Sequence, residues 1–223
     1  IIQDGWNIEW HCLAASDVGA LHRRERWWGI AHREDHLFDG YKRVGQLMDG
    51  WRVLQGSLFS APEIIRKLPK AGMACREGLF ERVVDNLWPT PSAIHAQRGN
   101  HDEPIEKYEQ RCLEYYEGNY SGKPGKSLGV AVRMETVDNG RLNPDWVELL
   151  MGLPEGWTDP GRDVEPSMID ASSWADGSWE EDVPRLTSRK DYRNKRLKAL
   201  GNSVVPQCAS TAFEVVRRRM NGQ

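Results

Sequence analysis

Alternating apolar and polar residues near the start of the chain predict a β-strand in residues 6–14. The apolar members stand at every second position, the period of a strand with one buried face: Trp6, Ile8, Trp10 and Cys12. The stretch RWWGIA, which begins at Arg26, is continuously apolar and predicts either a strand buried on both faces or a hairpin partner of the first strand. The arginine-rich residues 23–26 therefore lie where the second strand begins.

Helical spacing and end signals predict three helices in the second half of the chain. The first lies within residues 103–118, with Pro104 near its start and Gly118 as a stop. The second lies within residues 143–157, which open with an Asn cap and a Pro at the first helical position. The third lies within residues 201–220, where apolar residues recur four apart: Val204, Cys208, Ala212 and Val216.

Length and composition indicate a globular protein with one sizeable core, or one core with a smaller lobe. The chain has 223 residues and a net charge of −3. Its apolar runs are too short to cross a bilayer, and its N-terminus lacks the order of a signal peptide, so the sequence predicts a cytoplasmic protein with no membrane partner. Four scattered cysteines without a CxxC pair predict reduced thiols and no metal site.

One segment departs from the mildly acidic average. Residues 185–198 carry seven Lys/Arg and one Asp. This charge fits an edge that faces nucleic-acid phosphates, and it equally fits an ordinary solvated face.

Three motifs occur in a fixed order: the segment HRRER at residues 22–26, LNPDWVELLMGLPEGW at 142–157 and LGNSVVPQ at 200–207. Together they resemble the C-terminal third of DNA cytosine-5 methyltransferases, particularly the phage and prophage members. The phrases LWPTPSA and KSLGVAV are similar to that group too. The resemblance implies an α/β fold in which a partial Rossmann-like methyltransferase core carries a smaller, irregular target-recognition domain.

The same resemblance divides the chain into four parts. Residues 1–35 would be part of the catalytic core, with the strand pair and the arginine cluster. Residues 36–160 would be the target-recognition region, and 161–184, rich in Asp, Ser, Gly and Pro, a connecting loop. Residues 185–223 would complete the core with the cofactor-pocket motif and a C-terminal helix.

The family's Gln-x-Arg-x-Arg motif falls on residues 22–26, which implies catalytic roles for Arg24 and Arg26. Arg26 would contact O2 of the target cytosine, and His22 stands where the family has Gln. The final motif implies an S-adenosylmethionine pocket lined by Asn202, Ser203 and Val204. The predicted contacts to double-stranded DNA are His22, Arg23, Arg189, Lys190 and Arg193.

Physical chemistry supports these roles. A guanidinium group offers fixed, always charged donors that can bond the carbonyl oxygen of a flipped-out cytosine and stabilise charge on its ring. Extruding that base requires a cationic rim that holds the flanking phosphates. The structural alternatives are an ion-pair network with Glu25 for the arginines and ordinary helix capping for the Asn–Ser pair.

The family's catalytic machinery is missing from this sequence. The nucleophilic Pro-Cys motif, the Glu-Asn-Val motif and the Gly-rich cofactor loop are absent, so the chain alone is predicted to be inactive. Because it starts without Met, it is expected to be a C-terminal piece: a split subunit, a truncated product or an excised fragment. The predicted partner is an N-terminal methyltransferase half, on a separate chain or a missing segment. The alternatives are a non-catalytic DNA-binding or inhibitory remnant and an unrelated module with structural arginines.

Overall fold

The computed structural model describes residues 6–33, 87–93, 103–119, 124–136, 138 and 140–220. Of the predicted target-recognition region, residues 36–86 and 94–102 lie outside the described residues.

The two predicted strands pair as an antiparallel hairpin. Strand β1 spans Trp6–Leu13 and β2 spans Arg26–Arg33, with Leu13 opposite Arg26. A short 3-10 turn, Ala15–Val18, and the arginine-rich segment connect them. The hairpin reading of RWWGIA is therefore confirmed, and the arginines lie at the start of β2.

The three predicted helices are present. Helix α1 spans Ile105–Tyr116, and Gly118 follows it with a φ of 82° in the left-handed region. Helix α3 spans Pro144–Leu150, and the Asn143 side chain accepts a hydrogen bond from the Asp145 amide as predicted. The last helix, α6, spans Pro206–Met220.

Five further helices and strands belong to the described structure. Helix α2 spans Leu128–Thr136, and strand β3, Arg141–Leu142, pairs antiparallel with strand β4, Leu186–Thr187. Helix α4 spans Ala171–Asp176, and helix α5 spans Arg193–Asn202, within the basic segment.

Residues 161–184 were predicted to be a connecting loop, but they contain helix α4, so this prediction is corrected. The Asp170 side chain caps this helix by accepting from the Ser172 amide, and Gly177 ends it in the left-handed region. Trp174 and Trp179 are buried in the core. The many Asp, Ser and Gly residues of this segment are caps and turn positions around two buried indoles.

A single hydrophobic core unites distant parts of the described chain. It includes residues that precede β2, residues of α2 and α3, and residues of α5 and α6: Leu13, Ala15, Leu128, Trp146, Leu150, Leu197, Leu200 and Cys208. The described part of the predicted target-recognition region thus shares its core with the predicted catalytic segments. The fold is mixed α/β, and both sheets seen in the described ranges are two-stranded and antiparallel.

The structure also bears on the oxidation state of the cysteines and on membrane-spanning helices. Cys112 and Cys208 are free thiols, but Cys12 is disulfide-bonded, so the prediction of four reduced cysteines is wrong for Cys12. In the part of the chain that the structure describes, no helix is long and apolar enough to cross a bilayer.

Candidate functional site

Arg24 joins three segments that are far apart in sequence. Its side chain is 3% exposed. Nη1 donates to the carbonyl oxygen of Pro91 at 2.9 Å, and Nη2 donates to the carbonyl oxygens of Gly201, at 2.8 Å, and Ser203. The planar guanidinium serves all three acceptors at once. The arginine-rich segment and the GNSV motif therefore meet in space.

Gly201 has no room for a side chain. A Cβ built on this residue would overlap the backbone of Ser92 and Ala93. The segment 87–93 is fixed from its other end as well, because the Trp88 amide donates to the Leu21 carbonyl oxygen at 2.8 Å. The phrase LWPTPSA is thus packed between the arginine-rich segment and the turn after α5.

A cavity of about 740 Å³ opens beside this junction. Its walls come from the loop after α3, the turn between α5 and α6, and the first turns of α6: Leu153, Trp157, Thr158, Ala199, Asn202, Ser203, Val204, Pro206, Ala209, Ser210 and Phe213. All eleven are uncharged, and most are apolar. Mostly apolar walls with a few polar groups are typical of small-molecule sites of this size.

The structure brings the three predicted cofactor residues to one place. Asn202, Ser203 and Val204 all line the cavity. Val204 was expected on the buried face of the last helix, and this expectation is wrong: it precedes α6 and is 43% exposed. Its position on the turn directs it to the cavity wall, while Val205 enters the core.

A buried ionic cluster fixes the opposite wall. Glu148 accepts from the Gly156 amide at 2.6 Å, from the Thr158 amide at 2.8 Å and from the Thr158 hydroxyl. Arg196 on α5 donates to Glu148 at 2.9 Å, to Asp145 at 2.5 Å and to Thr158 Oγ1 at 3.1 Å. The cluster ties the loop that carries Trp157 and Thr158 to both α3 and α5.

The electrostatics of this cluster are balanced. Burial lowers the pKa of Arg196, but the hydrogen bonds that its guanidinium donates to the Asp145 and Glu148 carboxylates, with the charges of those carboxylates, outweigh burial and raise the pKa above its ordinary value. A buried charge is tolerated when it is paired and hydrogen-bonded, as here. The charge of Arg196 is therefore neutralised inside the protein, and its guanidinium group does not line the cavity.

Arg26 and Arg23 are exposed. Arg26 is the first residue of β2, and its Nη1 donates to the Glu25 carbonyl oxygen at 3.1 Å. Arg23 approaches the Glu25 carboxylate at 3.5 Å. An exposed pair of this kind contributes little to stability, so both arginines are accessible to a ligand.

The prediction that His22 contacts DNA needs correction. Its side chain is fully buried, and within the described residues neither ring nitrogen has a hydrogen-bond partner. Burial, and secondarily the charge of Arg24, lowers the pKa of His22 to about 3. A neutral ring inside the protein has no surface to offer to a phosphate.

The basic segment divides into exposed and buried members. Arg189 and Lys190 are exposed, as a phosphate contact requires. Arg193 is buried: its Nε donates to the Leu142 carbonyl oxygen at 3.0 Å and its Nη1 to Asn194 Oδ1 at 3.0 Å. Because these bonds hold its guanidinium between β3 and α5, the predicted DNA contact by Arg193 is corrected to a structural role at the edge of the surface.

Neither free cysteine of the described ranges lines the cavity. Burial, followed by the charge of Asp17, raises the pKa of Cys208 to about 12, and its Sγ faces the Ala14 carbonyl oxygen at 3.6 Å. Cys112 lies on α1 and does not line the cavity. Over the described ranges, no group of three His, Cys, Asp or Glu side chains could hold a metal ion.

Sequence reasoning missed several residues that build the site. Trp157 is the last residue of the motif at 142–157 and Thr158 follows it directly, but neither was assigned a role. Glu148 and Arg196 were unassigned. Glu148 lies about one helical turn before a loop that contains Gly and Pro. A carboxylate at such a position can accept hydrogen bonds from the loop amides, and this pattern could have indicated its role.

No protein-family model, curated protein or solved structure matches this chain.

Proposed function

We propose that this chain is the C-terminal portion of a DNA cytosine-5 methyltransferase. It would transfer methyl from S-adenosylmethionine to C5 of a flipped cytosine when completed by an N-terminal half that carries the nucleophilic Cys. The observation that carries the proposal is the side chain of Arg24, which bonds Gly201 and Ser203. Two motifs separated by about three quarters of the chain thereby form one site.

The cavity fits the cofactor in chemistry and size. Adenosine has flat apolar faces and neutral donors and acceptors, which match the exposed indole of Trp157 and the polar groups of Asn202, Ser203 and Thr158. Within the described residues, the lining carries no cation that would repel a sulfonium centre. When bound, the cofactor would supply the methyl group.

The two arginines have separate proposed tasks. Arg24 donates to three backbone carbonyls on two other segments, so it positions the segment that carries Arg26. Arg26 is exposed at the start of β2 and would donate to O2 of the extruded cytosine. Lysine in its place would lose the fixed fork geometry.

The remaining parts of the proposal follow from this placement. The β1–β2 hairpin, with α6 packed on it, would complete one side of a Rossmann-like core. Edge strands of this kind need a neighbour, which the N-terminal half would provide. The substrate would be double-stranded DNA in the cytoplasm of a bacterial or phage-infected cell.

A second candidate function is a DNA-binding or inhibitory remnant that performs no methylation. It is favoured by the cysteines: the sequence has no Pro-Cys motif, and Cys208 is a buried thiol whose pKa is raised to about 12. Both candidates agree that the chain alone performs no methyl transfer.

Reconstitution distinguishes the two candidates. The chain is mixed with an N-terminal half of a cytosine-5 methyltransferase that carries Pro-Cys and Glu-Asn-Val, and incorporation of tritiated methyl into duplex DNA is measured. We expect incorporation in the mixture and none with either half alone. Duplex binding without incorporation would favour the remnant, and binding to neither duplex DNA nor cofactor would favour an unrelated module.

In the active mixture, Arg26→Ala tests the base contact. We expect turnover to fall by about 10²–10³-fold, the range for removal of one donor to a developing oxyanion, while DNA affinity changes little because many other contacts go to phosphates. Arg162→Ala is the matched control, since Arg162 is an exposed arginine paired with Glu155. Equal losses of turnover and affinity in Arg26→Ala would contradict the role.

A further inference from the structure

A second hollow, of about 330 Å³, lies at the start of α5, on a different set of residues from the cofactor cavity. Among the described residues, its lining contains no carboxylate and four cations, Arg141, Lys190, Arg193 and Lys195. Tyr192 and Asn194 complete the described lining. Arg141, Lys190 and Lys195 are exposed. The contributions come from β3, the turn before α5 and the first turn of α5.

The cations of this hollow lie at a helix end that already carries partial positive charge. The N-terminus of a helix carries partial positive charge, and carboxylates are the residues that stabilise it there. The first turn of α5 has no acidic residue, and no side chain caps it. Lys195 lies there beside Lys190 and Arg141, and an anion bound in the hollow would be attracted by all three cations and by the helix N-terminus.

The fold neutralises one cation of this helix and leaves the hollow positive. Arg196 is paired with Asp145 and Glu148 in the interior. Lys195 instead lies with its Nζ 5.8 Å from the ring centroid of Tyr192, a side chain that is 57% exposed. Tyr192 has a φ of 50°, and no other described residue except glycine has a positive φ. The turn thus holds an aromatic ring and a flexible ammonium group at the rim.

We propose that this hollow binds a backbone phosphate of duplex DNA, with Arg141, Lys190 and Lys195 as the contacting cations. The identity of the ligand rests on the proposed function. Phosphate oxygens are acceptors for several cationic donors at once, and a phosphodiester keeps its negative charge at every physiological pH. Arg141 is a contact that the basic segment did not indicate, because it comes from β3. Lys195 lies in the basic segment but was not among the predicted DNA contacts.

The test is the salt dependence of duplex binding, measured by fluorescence anisotropy over a range of salt concentrations. Each phosphate contact contributes about −0.9 to the slope of log affinity against log salt. Because the three cations share one phosphate, the double variant Arg141→Gln/Lys195→Gln should reduce the slope by up to about 0.9 and weaken binding. The matched control is Arg162→Gln/Arg218→Gln, which removes two cations that lie outside both the hollow and the predicted target-recognition region. It should leave the slope unchanged.

Two further measurements test whether the variants lose phosphate binding or lose folding. Lys195→Gln removes a cation from a helix N-terminus, so its melting temperature should be unchanged or higher, which separates lost binding from lost folding. Titration with inorganic phosphate should shift the NMR signals of the Asn194 and Lys195 amides in the wild type and much less in the double variant.

The outcomes separate this proposal from the proposed function. If the slope is unchanged in Arg141→Gln/Lys195→Gln and S-adenosylhomocysteine still binds, the proposal that the hollow binds a phosphate is contradicted. The methyltransferase assignment is then unaffected. A reduced slope in a protein that binds no S-adenosylhomocysteine would support the hollow and contradict that assignment. A phosphate response without any effect of the variants on duplex binding, or an effect confined to RNA, would overturn the assignment to DNA.

Discussion

At the scale of residues, Arg24 and Arg26 are two positions apart and have opposite environments. Arg24 is buried and donates to three carbonyl oxygens, whereas Arg26 is exposed. Burial, and secondarily the charge of Arg26, lowers the pKa of Arg24 to about 10, so it remains charged at neutral pH. The first residue holds the site together and the second is available to a ligand.

This contrast predicts different effects on stability. Arg24→Ala leaves buried carbonyl groups without a donor and should reduce the free energy of unfolding by roughly 2–4 kcal/mol. Arg26→Ala removes an exposed side chain and should change it by less than about 0.5 kcal/mol. Chemical denaturation of both variants measures this difference. Equal effects of the two substitutions would contradict the assigned positions.

His22 predicts a dependence of stability on pH. Its pKa is about 3 in the folded protein and about 6.5 in an unfolded chain, so between these values the unfolded chain binds the extra proton. The free energy of unfolding should therefore fall as pH falls below 6.5, with a slope that approaches about 1.4 kcal/mol per pH unit.

His22→Gln provides the control, because glutamine does not titrate and is the residue of the similar family. Denaturation midpoints between pH 7 and pH 5 should fall less steeply in His22→Gln than in the wild type. Identical slopes would contradict the lowered pKa of His22 in the folded protein.

At the scale of elements, the turn between α5 and α6 depends on a close backbone contact. Gly201→Ala would place a Cβ on the backbone of Ser92 and Ala93, so the segment 87–93 would have to move. We expect a loss of about 1–3 kcal/mol in the free energy of unfolding, the range for overpacking. Gly125→Ala is the matched control, because its Cβ would meet no atom within 4 Å. An equally small effect at both positions would contradict this contact.

The elements that sequence reasoning predicted are those with local signals. The alternation in β1, the Asn143 cap of α3 and the four-residue spacing of α6 each depend on neighbours along the chain. Helix α5 was missed because its many cations were interpreted only as charge, and α4 because its caps resembled loop residues. In both, buried residues such as Leu200 and Trp174 stabilise the helix through distant contacts.

The site was predictable only in part for the same reason. Motif order identified Asn202, Ser203 and Val204, and all three line one cavity. The acceptors of Arg24 lie 67, 177 and 179 residues away, and no local pattern specifies them. The burial of His22 and Arg193 likewise comes from the packing of distant segments, which the sequence alone did not reveal.

At the scale of the whole molecule, one core supports two surfaces with different chemistry. The cavity beside Arg24 is uncharged, and the hollow at the start of α5 is cationic. Helix α5 contributes to both, since Asn202 at its end lines the cavity and Lys195 at its start lines the hollow. In the proposed function, these surfaces would bind the cofactor and the DNA backbone.

The most direct test of the central claim is the binding of S-adenosylhomocysteine to the purified chain, measured by saturation-transfer difference NMR. We expect transfer to the adenine and ribose protons in the wild type and in the control Asn119→Ala, which changes an exposed Asn at the end of α1. Asn202→Ala should weaken the affinity about three- to tenfold, as for loss of one hydrogen bond. Absence of transfer in the wild type, or equal affinity in Asn202→Ala, would contradict the account.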